Sequence, residues 1–444
     1  MVEMLGRAVG WASGVVWGPW TVALLLGSGL YLTLRFRFVQ LLRLPEALRA
    51  LGGKGSGGGG GGVLTPFQAF MTGLAASVGT GNIAGVATAI VTGGPGAVFW
   101  LWVYGFFAAA IKFAEAVLGM RYRQVDGARF SAGPMHYLRD GLKAPRLALA
   151  YGLIAGVAAL VTTPFTQPNS IAVVFSSQFQ VPAWVSGVVL AVLTWVVVIG
   201  GAGSIGRAAE KLAPLMVGLY LVGGLIVVLR HAEALPGVLA LIVREAFSLH
   251  SAAGGAAGVG MMVALRYGLA RGIYANEAGY GTAAVAYGSA RSERPLEQGL
   301  NAVIEVFIVT FITCTLSALT VLVSGVWQSG AKSTALVAAA FDTSLPGGGY
   351  VVALSALLFG YTTLIGWAYY GEQFLEYVLG GWVVKPYRWL YCALVVLGAT
   401  TSVDLVWAWG DLMNGLQVFP NLVGLLGLAG VAAQVLRPEA EKAS

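Results

Sequence analysis

Apolar runs of about 20 residues recur along nearly the whole of this chain, and each is long enough to cross a hydrocarbon core of roughly 30 Å as a helix. The chain is 57% hydrophobic and 10% charged, with a mean hydropathy of +0.79. A soluble globular protein carries about 25% charged residues, so these numbers exclude one and predict an all-α polytopic membrane protein. Eleven spans are expected, at 12–34, 66–92, 97–121, 148–176, 182–200, 206–229, 256–286, 299–325, 349–379, 386–403 and 411–436. The first run, Trp11–Leu32, has no A-x-A-like exit and is long enough to be a span, so it is expected not to be a cleaved signal peptide.

Charge supports this partition. The segments 35–65, 122–147, 201–211, 287–298 and 380–388, the tail and Arg121 hold 19 of the 26 Lys and Arg residues, and the opposite side holds 4. By the positive-inside rule the N-terminus lies outside and the C-terminus in the cytoplasm of a bacterial-type plasma (inner) membrane. Topology thus accounts for the net charge of +7, and no nucleic-acid partner is implied. Cys314 and Cys392 lie inside apolar runs, and His136, His231 and His250 show no ligand spacing, so neither a disulfide framework nor a metal cluster is indicated. The Gly-rich stretch 52–62 reads as a slack cytoplasmic connector, because it lacks the Lys-Ser/Thr of a P-loop.

One span stands out. Ser77-Val78-Gly79-Thr80-Gly81-Asn82 places two glycines around a hydroxyl at membrane depth. A helix broken there is tolerated only if the freed N–H and C=O groups face protein or a water-filled cavity. With the first helix (1–34) and the loop 35–65 set aside, ten spans divide into 66–230 and 256–436, five each, followed by a tail at 437–444. Five is odd, so the second half is inverted relative to the first, and the first span of each half is the broken one, at Gly79–Gly81 and at Arg271–Gly281.

The run Gly79–Ile90, then Gly93–Ala97, Lys112–Glu115, Arg271-Gly272, Asn276–Gly279 and Gly366–Glu372, resembles the alanine or glycine:cation symporter family over about residues 15–436. The resemblance implies a LeuT-type fold, a 5+5 inverted repeat with one extra N-terminal helix. It also implies a secondary active transporter that imports a small neutral amino acid with Na+, with no other cofactor and no enzymatic activity.

An amino-acid zwitterion needs donors for its carboxylate and acceptors for its ammonium. The half-helix after the first break offers free N–H groups and a positive dipole end. Gly79, Thr80, Gly81 and Asn82 are therefore expected at the substrate carboxylate, although Gly81 and Gly85 also read as a small-xxx-small packing pair. By resemblance, Gln167, Phe165, Ile273 and Trp367 wall the pocket. Sodium is expected among the carbonyls of Ala75 and Val78 and the hydroxyls of Thr362 and Thr363, unless those hydroxyls bond their own helix. Pro164, Pro168 and Ala275 depart from the family pattern and are expected to reshape substrate choice. Lys112, Glu115, Arg271 and Glu277 are expected in structural or gating ion pairs, with Arg271 and Glu277 near an inner gate. A proton-coupled amino acid transporter is the alternative reading, with Glu115 or Glu277 as proton carrier. An ion channel is a more remote one, since broken helices also build filters. The oligomeric state is not legible.

Overall fold

The computed structural model describes residues 2–52, 61–126, 129–248 and 259–437. Most of the Gly-rich stretch and of the tail therefore lies outside the described residues. Val2–Val16 (α1) and Pro19–Arg35 (α2) pack outside the main bundle on Val403–Gly427 and on Gly96–Tyr122 respectively. The bundle proceeds through Pro66–Ser77 (α3), Ala84–Gly93 (α4), Gly96–Tyr122 (α5), Pro145–Val161 (α6), Thr163–Phe179 (α7), Ala183–Val198 (α8) and Gly201–Arg230 (α9). It continues through Val259–Asn276 (α10), Thr282–Gly288 (α11), Pro295–Val306 (α12), Thr315–Val323 (α13), Gly348–Leu379 (α14), Val384–Thr400 (α15) and Val403–Gly427 (α16).

Among the described residues, each of the eleven apolar intervals is mainly helical. By length and composition, six helices are able to cross a membrane, or up to eight if each bent pair counts as one span. The remaining intervals fall short for physical reasons: α8 and α15 have 16 and 17 residues, and α10 and α11 are separated by an unwound stretch. The last helix starts at Val403 rather than 411, because Asp404 and Asp411 interrupt its hydropathy but not its backbone. Large apolar side chains such as Trp184, Val196 and Trp389 stay over 60% exposed on the outside of the bundle. Such a surface suits lipid, where every backbone group is already paired within its helix.

Local chemistry sets the first broken helix. Thr65 and Gln68 form a capping box: the Gln68 N–H donates to Thr65 Oγ1 at 3.1 Å and the Thr65 N–H to Gln68 Oε1 at 3.2 Å, with Pro66 opening the helix. Thr65→Ala is expected to lower stability by about 1 kcal/mol, read as a small fall in the thermal midpoint with transport retained. Helix α3 ends at Ser77; Gly79 is extended, Thr80–Asn82 make one 3-10 turn, and α4 leaves at 53° to α3. The second break follows α10, where Glu277, Gly279 and Gly281 all take positive φ, at +58°, +101° and +88°.

Candidate substrate and cation site

Residues of both breaks line one small cavity between the helices, referred to below as the central cavity. Two glycines permit the close approach. A Cβ on Gly79 would lie 2.6 Å from Thr363 Oγ1, and one on Gly81 would lie 2.6 Å from the Tyr274 ring. Neither contact is tolerable, so any side chain here would push helices α14 and α10 off the first break.

Four of the expected substrate residues, Gly79, Gly81, Gln167 and Trp367, line this cavity. The other four do not. Thr80 stands behind the wall, where its N–H and hydroxyl both donate to Gln167 Oε1, at 2.9 and 2.8 Å. Asn82 braces the break instead of facing a ligand. Its Nδ2 donates to the Ser77 and Gly79 carbonyls at 2.8 and 3.3 Å, and its Oδ1 accepts from the Cys314 thiol at 3.0 Å. Phe165 points into a separate apolar groove with Leu397 and Trp409, because α7 turns that face toward α15 and α16. Ile273 is fully buried beside Gly279, and its neighbour Tyr274 takes the lining position. Pro164, Pro168 and Ala275 do not line the cavity either; the helix spanning 148–176 instead breaks at Thr162, so Pro164 falls in the first turn of α7. Sequence reasoning missed Thr163, Tyr274, Tyr280 and Asn414 as lining residues.

The two threonines separate. Thr363 Oγ1 reaches the carbonyls of Ala75 and Ala76 at 3.1 and 2.9 Å, at the frayed end of α3. Thr362 Oγ1 donates to its own helix at Leu358 and Phe359, 3.0 and 3.1 Å away, and faces Met216 on α9. Consecutive residues point about 100° apart on a helix, so one side of α14 serves the break and the other packs on α9.

The charged residues pair differently from expectation. Helix α5 carries Lys112 and Glu115 three residues apart, on one face. Lys112 Nζ donates to Glu305 Oε1 at 2.5 Å, to Ser77 Oγ at 2.9 Å and to the Asn276 carbonyl at 2.5 Å. Glu115 makes no ion pair among the described residues; its Oε1 accepts from the N–H groups of Gly279 and Gly281 and from Asn421 Nδ2, at 2.8, 3.0 and 2.8 Å. Tyr104 and Tyr151 hydroxyls donate to the Ala278 and Tyr280 carbonyls at 2.6 and 2.7 Å. Backbone freed by the second break is thereby satisfied inside the protein, as membrane depth demands.

Arg271 forms a two-pronged pair with Asp411, at 2.7 and 2.8 Å, and lies over the Trp407 ring at 4.5 Å. This group lines a vestibule shared with Lys332 and Asp404. Arg271 and Glu277, expected together near an inner gate, are divided by the fold: Arg271 lines the vestibule, whereas Glu277, at the break itself, lines the central cavity. Tyr274 lines the cavity and packs on Trp407 of the vestibule at 5.1 Å between ring centroids, with its hydroxyl bonded to Thr166 Oγ1 at 2.5 Å.

A helical bundle in which two unwound helices line one buried cavity has a fold of the LeuT type. Solved structures agree on the fold. MhsT in complex with L-phenylalanine aligns with a TM-score of 0.60 at 13% identity, over 83% of this chain and 97% of that one. The manganese transporter of Eremococcus coleocola aligns with a TM-score of 0.57 at 15% identity, over 82% and 78%. The profile of the sodium:alanine symporter family matches residues 2–443, and the chain belongs to that family. It is 39% identical to the sodium/alanine symporter AgcS of Methanococcus maripaludis, over 94% of this chain and 93% of that protein. It is 34% identical to the probable sodium/glutamine symporter GlnT of Bacillus subtilis, over 98% and 91%. The protein is therefore an integral membrane, Na+-coupled amino acid symporter and not an enzyme.

Proposed function

We propose that this symporter imports a small neutral amino acid of the alanine or glycine class with Na+ by alternating access, the two halves 66–230 and 256–436 moving around the central cavity. The observation that carries the reading is the meeting of Thr363 Oγ1 with the Ala75 and Ala76 carbonyls beside the cavity that both breaks line. Carbonyl and hydroxyl oxygens are the hard ligands a small cation wants, and Ala75, Val78 and Thr363 are proposed to hold it, with the Ala76 carbonyl added and Thr362 released. The substrate carboxylate is proposed to lie at Gly79–Gly81 and the Gln167 amide. Tyr274 and Trp367 leave room only for a short side chain, and such size selection is worth about 1–3 kcal/mol per methylene. The Arg271–Asp411 pair and Tyr274 are proposed as the gate on the vestibule side.

The driving force is adequate. One charge moving inward through about 100 mV yields about 2.3 kcal/mol, and a tenfold Na+ gradient adds about 1.4 kcal/mol. At one-to-one coupling the sum supports roughly several-hundredfold accumulation. Purified protein in proteoliposomes is expected to take up labelled alanine only under an inward Na+ gradient; indifference to that gradient sinks the reading. Thr363→Val is expected to abolish the Na+ dependence. Full coupling in that variant would favour protons, carried by Glu277.

A further inference from the structure

The lining of the central cavity carries side chains of opposite polarity. Gln167 has its Oε1 committed to Thr80, which leaves Nε2 as the donating end of the amide. The same lining includes Glu277, only 3% exposed. Its oxygens are held by two neutral donors, Trp367 Nε1 at 2.5 Å and Thr282 Oγ1 at 2.7 Å. No ion pair among the described residues includes it; Lys112 is committed to Glu305, and Arg271 to Asp411. A buried carboxylate without a counter-charge is costly. The backbone adds a second cost, since Glu277 has φ +58°, a conformation that non-glycine residues seldom adopt and that clusters at functional sites. Together they hold a carboxyl group without an ion-pair partner among the described residues against the cavity that the Gln167 amide also lines.

Resting on the symport reading above, we propose that Glu277 accepts the substrate's ammonium group opposite Gln167, and so selects α-amino acids over hydroxy acids of the same shape. A zwitterion spans the two walls with matched polarity. Lactate carries the same methyl and carboxylate as alanine but no cation, and it leaves the Glu277 charge buried and uncompensated. Sites built to bond a particular group reject analogues lacking it far more strongly than they sense a methylene. A purely structural Glu277, bracing Trp367 and Thr282, predicts no such preference.

The test measures binding of L-alanine and L-lactate to the purified full-length protein at saturating Na+, by calorimetry or thermal shift. Wild type is expected to bind alanine at least about 100-fold more tightly than lactate. In Glu277→Gln alanine affinity is expected to fall at least about 30-fold while lactate changes less than about threefold, so that the discrimination collapses. Alanine and lactate binding within about threefold of each other in wild type overturns the proposal, and that measurement stands even if the variant does not fold. Intact alanine affinity and discrimination in Glu277→Gln overturn it too, leaving the symport reading untouched. A wild type that binds no small amino acid in the presence of Na+ overturns both.

Discussion

Lys112→Met is expected to remove most of the folded protein from detergent extracts. Lys112 is 1% exposed and Glu305 is fully buried, and the lysine also holds Ser77 and the Asn276 carbonyl. Removing one partner of such a pair leaves a bare charge in a low-dielectric interior and costs about 3–5 kcal/mol. That is a large share of the roughly 5–15 kcal/mol that separates a typical folded domain from its unfolded chain. The ends of both breaks lose an anchor in the same step, because Ser77 closes α3 and Asn276 closes α10. Thermal unfolding followed by size-exclusion chromatography reads the effect. The double variant Lys112→Met, Glu305→Gln is expected to recover part of the loss, since it abolishes the unpaired charge. If the double variant is no more stable than Lys112→Met, the charge explanation fails.

Gly79→Ala is expected to leave a folded protein whose Na+-dependent uptake is reduced at least about 100-fold. The added Cβ would lie 2.6 Å from Thr363 Oγ1 and 3.1 Å from Gln167 Oε1, so the hydroxyl is driven off the Ala75 and Ala76 carbonyls. The same substitution six residues on is the control. A Cβ on Gly85 meets only ordinary contacts, the nearest at 3.6 Å, and Gly85→Ala is expected to transport within about twofold of wild type. Equal activity in the two variants would count against a close-packed cation site.

Much of the architecture is legible because lipid leaves the chain few choices. The broken helices show as glycines at membrane depth. The site is legible only in part, and each miss has a geometric cause. Thr362 and Thr363 are indistinguishable in one dimension, yet the turn between them sends one hydroxyl to α3 and the other to α9. Phe165 and Ile273 have the right chemistry for a pocket wall, but α7 and α10 rotate them away and bring Tyr274 in. Asn82 has free donors in the sequence and none to spare in the structure, because the Ser77 and Gly79 carbonyls claim them. Partners far apart in the chain are the hardest to foresee: Lys112 meets Glu305, and Arg271 meets Asp411.

By itself the sequence determined a polytopic helical membrane protein with two interrupted helices, since hydropathy and glycine placement act locally and a bilayer penalises every alternative. It also carried the family, through motifs contiguous in the chain. Tertiary structure alone decided which threonine faces the frayed carbonyls, which acid faces the cavity and which acids brace the breaks. Those outcomes depend on helix rotation and on contacts between segments more than a hundred residues apart, and a buried charge takes its role from whatever the fold sets beside it.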